Sequence, residues 1–153
     1  MNKNINILSI DPAEKCGFAC SSGEHGLWNL SVKRDENKAM RLIRFQNLIE
    51  DIIKKHDINM IVFETVSGRM PAAIISHSKY VAVIELITEK YNIPYKGYHA
   101  KAIKKFATGN GNASKNDMIK TAMKKYGYRG SDDNVADAIC LLNFAKFDIY
   151  NEI

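Results

Sequence analysis

Ile5-Asn6-Ile7-Leu8-Ser9-Ile10-Asp11 and Met60-Ile61-Val62-Phe63-Glu64 are two hydrophobic runs that each end in a carboxylate. A strand that is apolar on both faces belongs inside a sheet. Asp11 and Glu64 are therefore carried to a buried edge, where an unpaired charge costs several kcal/mol. Something positive should compensate, and a divalent metal ion is the leading candidate. Late in the chain Asp133 and Asp137 stand four residues apart in a helical pattern, which places them on one helix face.

Working outward from these runs gives the order of elements. Ile5 to Asp11, Gly17 to Ser21 and Gly26 to Val32 read as three short strands with brief connections, hence antiparallel hairpins. Leu42, Phe45, Ile49, Ile52 and Ile53 recur at helical spacing between Asn37 and Lys55. That helix returns the chain to the Met60 run, parallel to the first strand. Pro71 suits the first turn of a helix reaching about Tyr91, with Tyr80, Val81, Ile84 and Ile87 on its buried side. A short strand from Pro94 to Tyr98 follows, then a short helix from His99 to Ala107 and a loop from Thr108 to Asn112. Asn112 or Ser114 suits the cap of the next helix, which runs to about Tyr126, and a last helix spans Ser131 to Tyr150. The expected fold is α/β, a mixed central sheet flanked by helices in the order of the ribonuclease H-like architecture.

At 153 residues with 46% hydrophobic composition, residues 1–153 read as a single domain with a real core. No apolar stretch approaches the roughly 18 residues of a membrane span, and Met1-Asn2-Lys3-Asn4 leads straight into a strand, so a cytoplasmic protein is expected. Cys16, Cys20 and Cys140 are odd in number and form no CxxC pair, which favours small buried hydrophobes over disulfides or zinc. The net charge of +5 is unevenly spread: Lys96 to Arg129 holds nine basic residues and one acid, Asp117, while the remainder is slightly acidic. A polyanion is the natural partner of that segment, although a solvated lysine-rich surface would read the same way.

In-line hydrolysis of a phosphodiester needs a positioned water, stabilised phosphoryl oxygens and help for the leaving oxygen, and hard divalent ions held by carboxylates from different elements supply all three. Asp11, Glu64, Asp133 and Asp137 have that character. Leu141 and Phe144 place Asp137 on a core-facing side of its helix, where a carboxylate needs a partner. Plainer readings exist for the others. Asp132 and Asp133 also suit helix capping beside Ser131, Asp11 a turn with Pro12, and Glu64 a salt bridge.

Ile7-Leu8-Ser9-Ile10-Asp11-Pro12 with Gly17, Phe63-Glu64, Thr108-Gly109-Asn110-Gly111-Asn112-Ala113-Ser114-Lys115 and Asp133-Asn134-Val135-Ala136-Asp137-Ala138 resemble, in order and spacing, the motifs of the RuvC family of Holliday junction resolvases. The small size and the form of the last motif are most similar to phage-type members. The resemblance implies a homodimer that binds a four-way DNA junction and makes paired nicks with Mg²⁺ or Mn²⁺ in a bacterial or phage-infected cytoplasm. It implies Asp11, Glu64 and Asp137 as metal ligands, with a fourth one turn before Asp137. The position three residues before it is Asn134, whereas Asp133, four before, aims at the same ions. The resemblance also puts Lys115 near the scissile phosphate, as a catalytic residue; alternatively it is only the first residue of a basic helix.

The loop after Glu64 corresponds to the family's junction-facing region, where Met70 is either an apolar wedge between bases or simply the start of the next helix. Arg69 beside it suits a phosphate. Lys101, Lys104, Lys105, Lys115, Lys120 and Lys124 are the expected contacts to the DNA backbone, largely sequence-blind. The alternatives are a related nuclease acting on RNA or general branched DNA, a non-catalytic junction-binding protein, and a phosphotransferase of the actin-like superfamily, whose fold normally needs a much longer chain.

Overall fold

Strands β1 (Ile7–Asp11), β2 (Lys15–Cys20) and β3 (His25–Asn29) are followed by helix α1 (Met40–His56), strand β4 (Met60–Glu64), helix α2 (Pro71–Tyr91), strand β5 (Tyr95–Tyr98) and helices α3 (Ala100–Thr108), α4 (Lys115–Tyr126) and α5 (Asp133–Asn151). This is a computed structural model, and it describes residues 4–66, 68 and 70–151. The strands form one sheet in the order β3-β2-β1-β4-β5, antiparallel across β3-β2-β1 and parallel across β1-β4-β5. The expected mixed α/β sheet is therefore the observed one.

Period-two alternation divides the core into two layers. Leu8, Ile10, Phe18, Ile61 and Phe63 face α1 and α2, packing with Phe45, Ile49, Tyr80 and Ile84. Ile7, Ala19, Val62 and Tyr98 face the other way, under α3, α4 and α5, with Ile103, Met118, Ala136 and Leu141. The three cysteines are buried and unpaired. Among the described residues no helix is long and apolar enough to cross a membrane.

Side chains competing for backbone groups trim several elements. β1 begins at Ile7 rather than Ile5 because Asn6 is taken by Asn59: the Asn6 amide donates to Asn59 Oδ1 at 2.8 Å. α1 begins at Met40 rather than Asn37 because Asn37 forms a turn, its Oδ1 accepting the Ala39 amide at 2.9 Å. Of the two candidate caps of α4, Ser114 takes the role: its hydroxyl accepts the Asp117 amide at 3.1 Å while Asp117 accepts the Ser114 amide.

Helix α5 lies unusually close to the sheet. Gly17 on β2 stands where an added Cβ would be 2.0 Å from the backbone oxygen of Asn134. Buried Ser9 on β1 donates to the Ala138 carbonyl at 2.8 Å. A methyl at Gly17 must push the start of α5 outward, at a cost of about 1–3 kcal/mol for overpacking. Gly17→Ala should therefore lower the melting temperature by several degrees, whereas Gly111→Ala, whose methyl meets nothing nearer than 3.5 Å, should leave it unchanged. Parallel thermal melts check this, and an unshifted Gly17→Ala would show that α5 does not depend on that contact.

Candidate active site

Asp11 and Glu64 are brought together by strand register. β1 and β4 are parallel neighbours with Ile10 opposite Phe63, so the next residues, Asp11 and Glu64, end the two strands side by side. Alternation puts Asp11 on the face of Ile7 and Ser9, and Glu64 on the face of Val62; both are on the α5 side. α5 crosses these strand ends with its acidic first two turns, held by the Gly17 and Ser9 contacts. Asp133 and Asp137 stack one above the other on it.

Four carboxylates in one low-dielectric corner cannot all be ionised cheaply. Burial, above all, pushes the Asp11 carboxyl well above its ordinary range, with further contributions from Glu64, Asp137, a hydrogen bond shared with Glu64, and Asp133. Burial raises Glu64 too, against the lowering effects of the Asp11 hydrogen bond, Lys104 and His99. Two raised carboxyls hydrogen-bonded to each other favour holding one proton between them. Burial, then Glu64 and Asp133, push Asp137 up to about 7, opposed by Lys104 and Lys115. Asp133 forms an ion pair with Lys115, Oδ2 to Nζ 3.6 Å.

Hard oxygen donors on rigid elements, as these carboxylates are, suit Mg²⁺ or Mn²⁺. Among the described residues no three such side chains enclose an ion by themselves. Mg²⁺ keeps several waters and takes one or two carboxylates plus substrate phosphate oxygens, so a pair such as Asp11 and Glu64 at adjacent strand ends supplies the protein's share of such a site. The residues fit a hydrated divalent ion completed by a phosphodiester.

Other residues singled out in the sequence fall into three places. Lys115 is the first residue of α4, largely exposed, with its ammonium over Asp133. Lys104, expected only to contact backbone phosphate, also lowers the Glu64 and Asp137 carboxyls through its charge. Lys101 and Lys105 on α3 and Lys120 and Lys124 on α4 are exposed, and the last two line a surface cavity of about 350 Å³ with Thr108 and Asn110. Lys96 and Lys125, part of the basic segment, are engaged: Lys96 with Asp148 at 2.7 Å, and Lys125 with the Ala107 carbonyl at 2.6 Å. Met70 is exposed at the cap of α2, and Arg69 lies outside the described residues.

Asp132 is a cap, its Oδ1 accepting the Val135 amide at 3.0 Å. Asn134 turns its backbone to Gly17. Sequence reasoning passed over Ser9, although its place two residues before Asp11 sets it on the same face. It also passed over His77, which lines a cavity of about 310 Å³ beside Asp11 and Glu64. Burial lowers the His77 imidazole against the raising effect of the Glu64 and Pro12 carbonyls. No sequence pattern marks that contact, because α2 reaches it only through the tertiary fold.

With this geometry in hand, comparison with known proteins is informative. A family model described as "Crossover junction endodeoxyribonuclease RuvC" matches residues 7–142. A protein of that name from Brachyspira hyodysenteriae is 27% identical, over 95% of this chain and 98% of its own length. Another from Prochlorococcus marinus (strain NATL2A) is 26% identical over 73% of this chain and 74% of its own. Among solved structures, Thermus thermophilus RuvC in complex with Holliday junction substrate superposes with a TM-score of 0.80 at 14% identity, covering 97% of each chain. The yeast mitochondrial Holliday junction resolvase Ydc2 gives a TM-score of 0.62 at 12% identity, over 97% of this chain and 85% of the other. At such identities the structural likeness establishes the shared ribonuclease H-like fold.

The charge surplus has a consequence measurable without substrate. Asp137 has a folded value of about 7, above the ordinary carboxylate range, so its contribution is intact below about pH 4 and becomes destabilising as pH rises towards 7. Asp137→Asn should therefore stabilise the metal-free protein at pH 8, by an amount on the order of a few kcal/mol, and the gain should vanish at pH 4. Melts in chelator at the two pH values check it; an equal effect at both would contradict the buried-charge account.

Proposed function

The chain belongs to the RuvC family of crossover junction endodeoxyribonucleases, and on that premise we propose that it is a single-domain, homodimeric endonuclease that resolves four-way DNA junctions by divalent-metal-dependent phosphodiester hydrolysis in the cytoplasm. The observation that carries the reading is the placement of Asp11 and Glu64 side by side at adjacent parallel strand ends, hydrogen-bonded to each other, with Asp137 on the helix above. Asp11, Glu64 and Asp137 would hold Mg²⁺ or Mn²⁺, with Asp133 as the fourth ligand. When bound, the metal activates water and stabilises the phosphoryl and leaving oxygens.

The chain's own residues do the rest. The strand ends and α5 fix the carboxylates on rigid backbone, so little reorganisation accompanies reaction. Lys115 is held near the carboxylates by Asp133. From there its ammonium can meet charge that develops on the phosphoryl group. Lys104 offsets the charge of Glu64 and Asp137 from the α3 side. Exposed Lys101, Lys105, Lys120 and Lys124 bind backbone phosphate, and Met70, exposed at the cap of α2, faces the junction. Exposed Ile75 and Leu86 on α2 suit self-association, which would supply two sites for paired nicks.

Incubating end-labelled duplex, flap and four-way junction DNA with and without Mg²⁺ tests the reading, which expects metal-dependent cleavage of the junction in preference to the others. Asp11→Asn or Glu64→Gln should lower cleavage by several orders of magnitude and leave junction affinity within about twofold, since remote lysines supply binding. Lys115→Ala should slow cleavage by about 10²–10³-fold with little loss of affinity; a parallel loss would make it one more phosphate contact.

Asp133→Asn should cripple Mg²⁺-dependent cleavage. Asp132→Asn should be near wild type, because asparagine caps a helix as well as aspartate does. If instead only Asn134→Ala loses activity, the fourth ligand is Asn134.

A further inference from the structure

The loop that leads into α5 closes on its own tyrosine. Gly127, with φ of +68°, ends α4. The ring of Tyr128 then enters the core beneath α3, α4 and α5, only 7% exposed. The ring of His25 packs edge-on against it at 5.7 Å. The hydroxyl turns back on the loop: it accepts the Asp132 amide at 3.0 Å and donates to the Asp132 carbonyl at 3.4 Å. Gly130 makes this possible, because a Cβ there would lie 2.4 Å from the same oxygen.

Asp132 is the residue from which α5 grows. Its carboxylate accepts the Val135 amide and its carbonyl the Ala136 amide, each at 3.0 Å. One phenol thus grips both backbone dipoles of the helix cap. The next residue, Asp133, reaches Lys115, and Asp137 follows one turn later. A helix surface lies about 5–6 Å from its axis, so turning the first turn by about 20° would carry either carboxylate roughly 2 Å. Displacements of about 1 Å already cost large factors in rate. Ser9 and Gly17 hold α5 against the sheet at Ala138 and Asn134; the Tyr128 hydroxyl adds a hold just before the helix, at the Asp132 backbone from which it starts.

We propose that the Tyr128 hydroxyl, seated against Gly130, is a positioning group of the nuclease site that sets the start and rotation of α5 and so the aim of Asp133 and Asp137. The inference rests on the nuclease reading above and adds a residue to it. Tyr128 touches neither metal nor DNA in this role; it acts through the Asp132 backbone.

Tyr128→Phe keeps the ring and its packing and removes only the hydroxyl. Cleavage at saturating junction should fall about fivefold, the worth of one neutral hydrogen bond, and the Mg²⁺ concentration for half-maximal rate should rise several-fold. KM and junction affinity should stay within twofold. Gly130→Ala, which displaces the hydroxyl while keeping the tyrosine, should act in the same direction and decides the matter if Tyr128→Phe folds poorly. A readout independent of cleavage is the rise in melting temperature on adding Mn²⁺, which should be smaller in both variants than in wild type. If both variants melt a few degrees lower but keep the wild-type rate, Mg²⁺ midpoint and Mn²⁺ shift, the hydroxyl only closes a loop and the proposal is wrong. A wild-type protein that shows the Mn²⁺ shift yet cleaves no junction would overturn the nuclease reading, and the Mn²⁺ comparison would still judge Tyr128.

Discussion

Like charges forced into one buried corner are the constraint on which the rest of this molecule depends. Parallel pairing of β1 and β4 sets Asp11 beside Glu64, and α5 brings Asp137 over them. A fold has no stability reason to gather acids there, because each added charge raises the cost of ionising the others. The arrangement becomes sensible once a divalent cation and a phosphodiester complete it. The raised Asp11, Glu64 and Asp137 carboxyls express that cost, and the charges of Lys104 and Lys115 offset part of it.

Holding α5 against that repulsion needs contacts that do not involve the acids. A buried hydroxyl on β1 bonds to its backbone, and a glycine on β2 lets the backbones approach. A tyrosine accepts from the amide of Asp132, the residue just before the helix. Each uses backbone rather than side-chain partners on the helix, which leaves the acidic face free. The helix dipole adds to this, since its positive end lies beneath Asp133.

Much of this could be read from the chain. The strand-ending carboxylates, the helical periods and the order of elements led to the mixed sheet and to the family, because buried strands and amphipathic helices announce themselves in one dimension. Element ends were less visible: Asn6, Asn37 and Asn59 spend side-chain hydrogen bonds on backbone groups that periodicity assigns to strands and helices. Lys104 reads as one lysine among many until α3 is placed beside Glu64. Lys96 reads as free until Asp148, 52 residues away, is found next to it. Tyr128 is hardest of all, since its role lies in a hydroxyl folded back onto a loop.

Proton release on metal binding tests the central claim most directly. Titrating Mn²⁺ into the protein by calorimetry near pH 6.5, in two buffers of different ionisation enthalpy, measures how many protons leave as the ion enters. If Asp11 and Glu64 share a proton and Asp137 titrates at about 7, binding should expel about one to two protons, and the apparent enthalpy should differ between buffers accordingly. Equal apparent enthalpies in the two buffers would mean that the carboxylates were already ionised, and the account of a charge-strained corner awaiting its cation would be wrong.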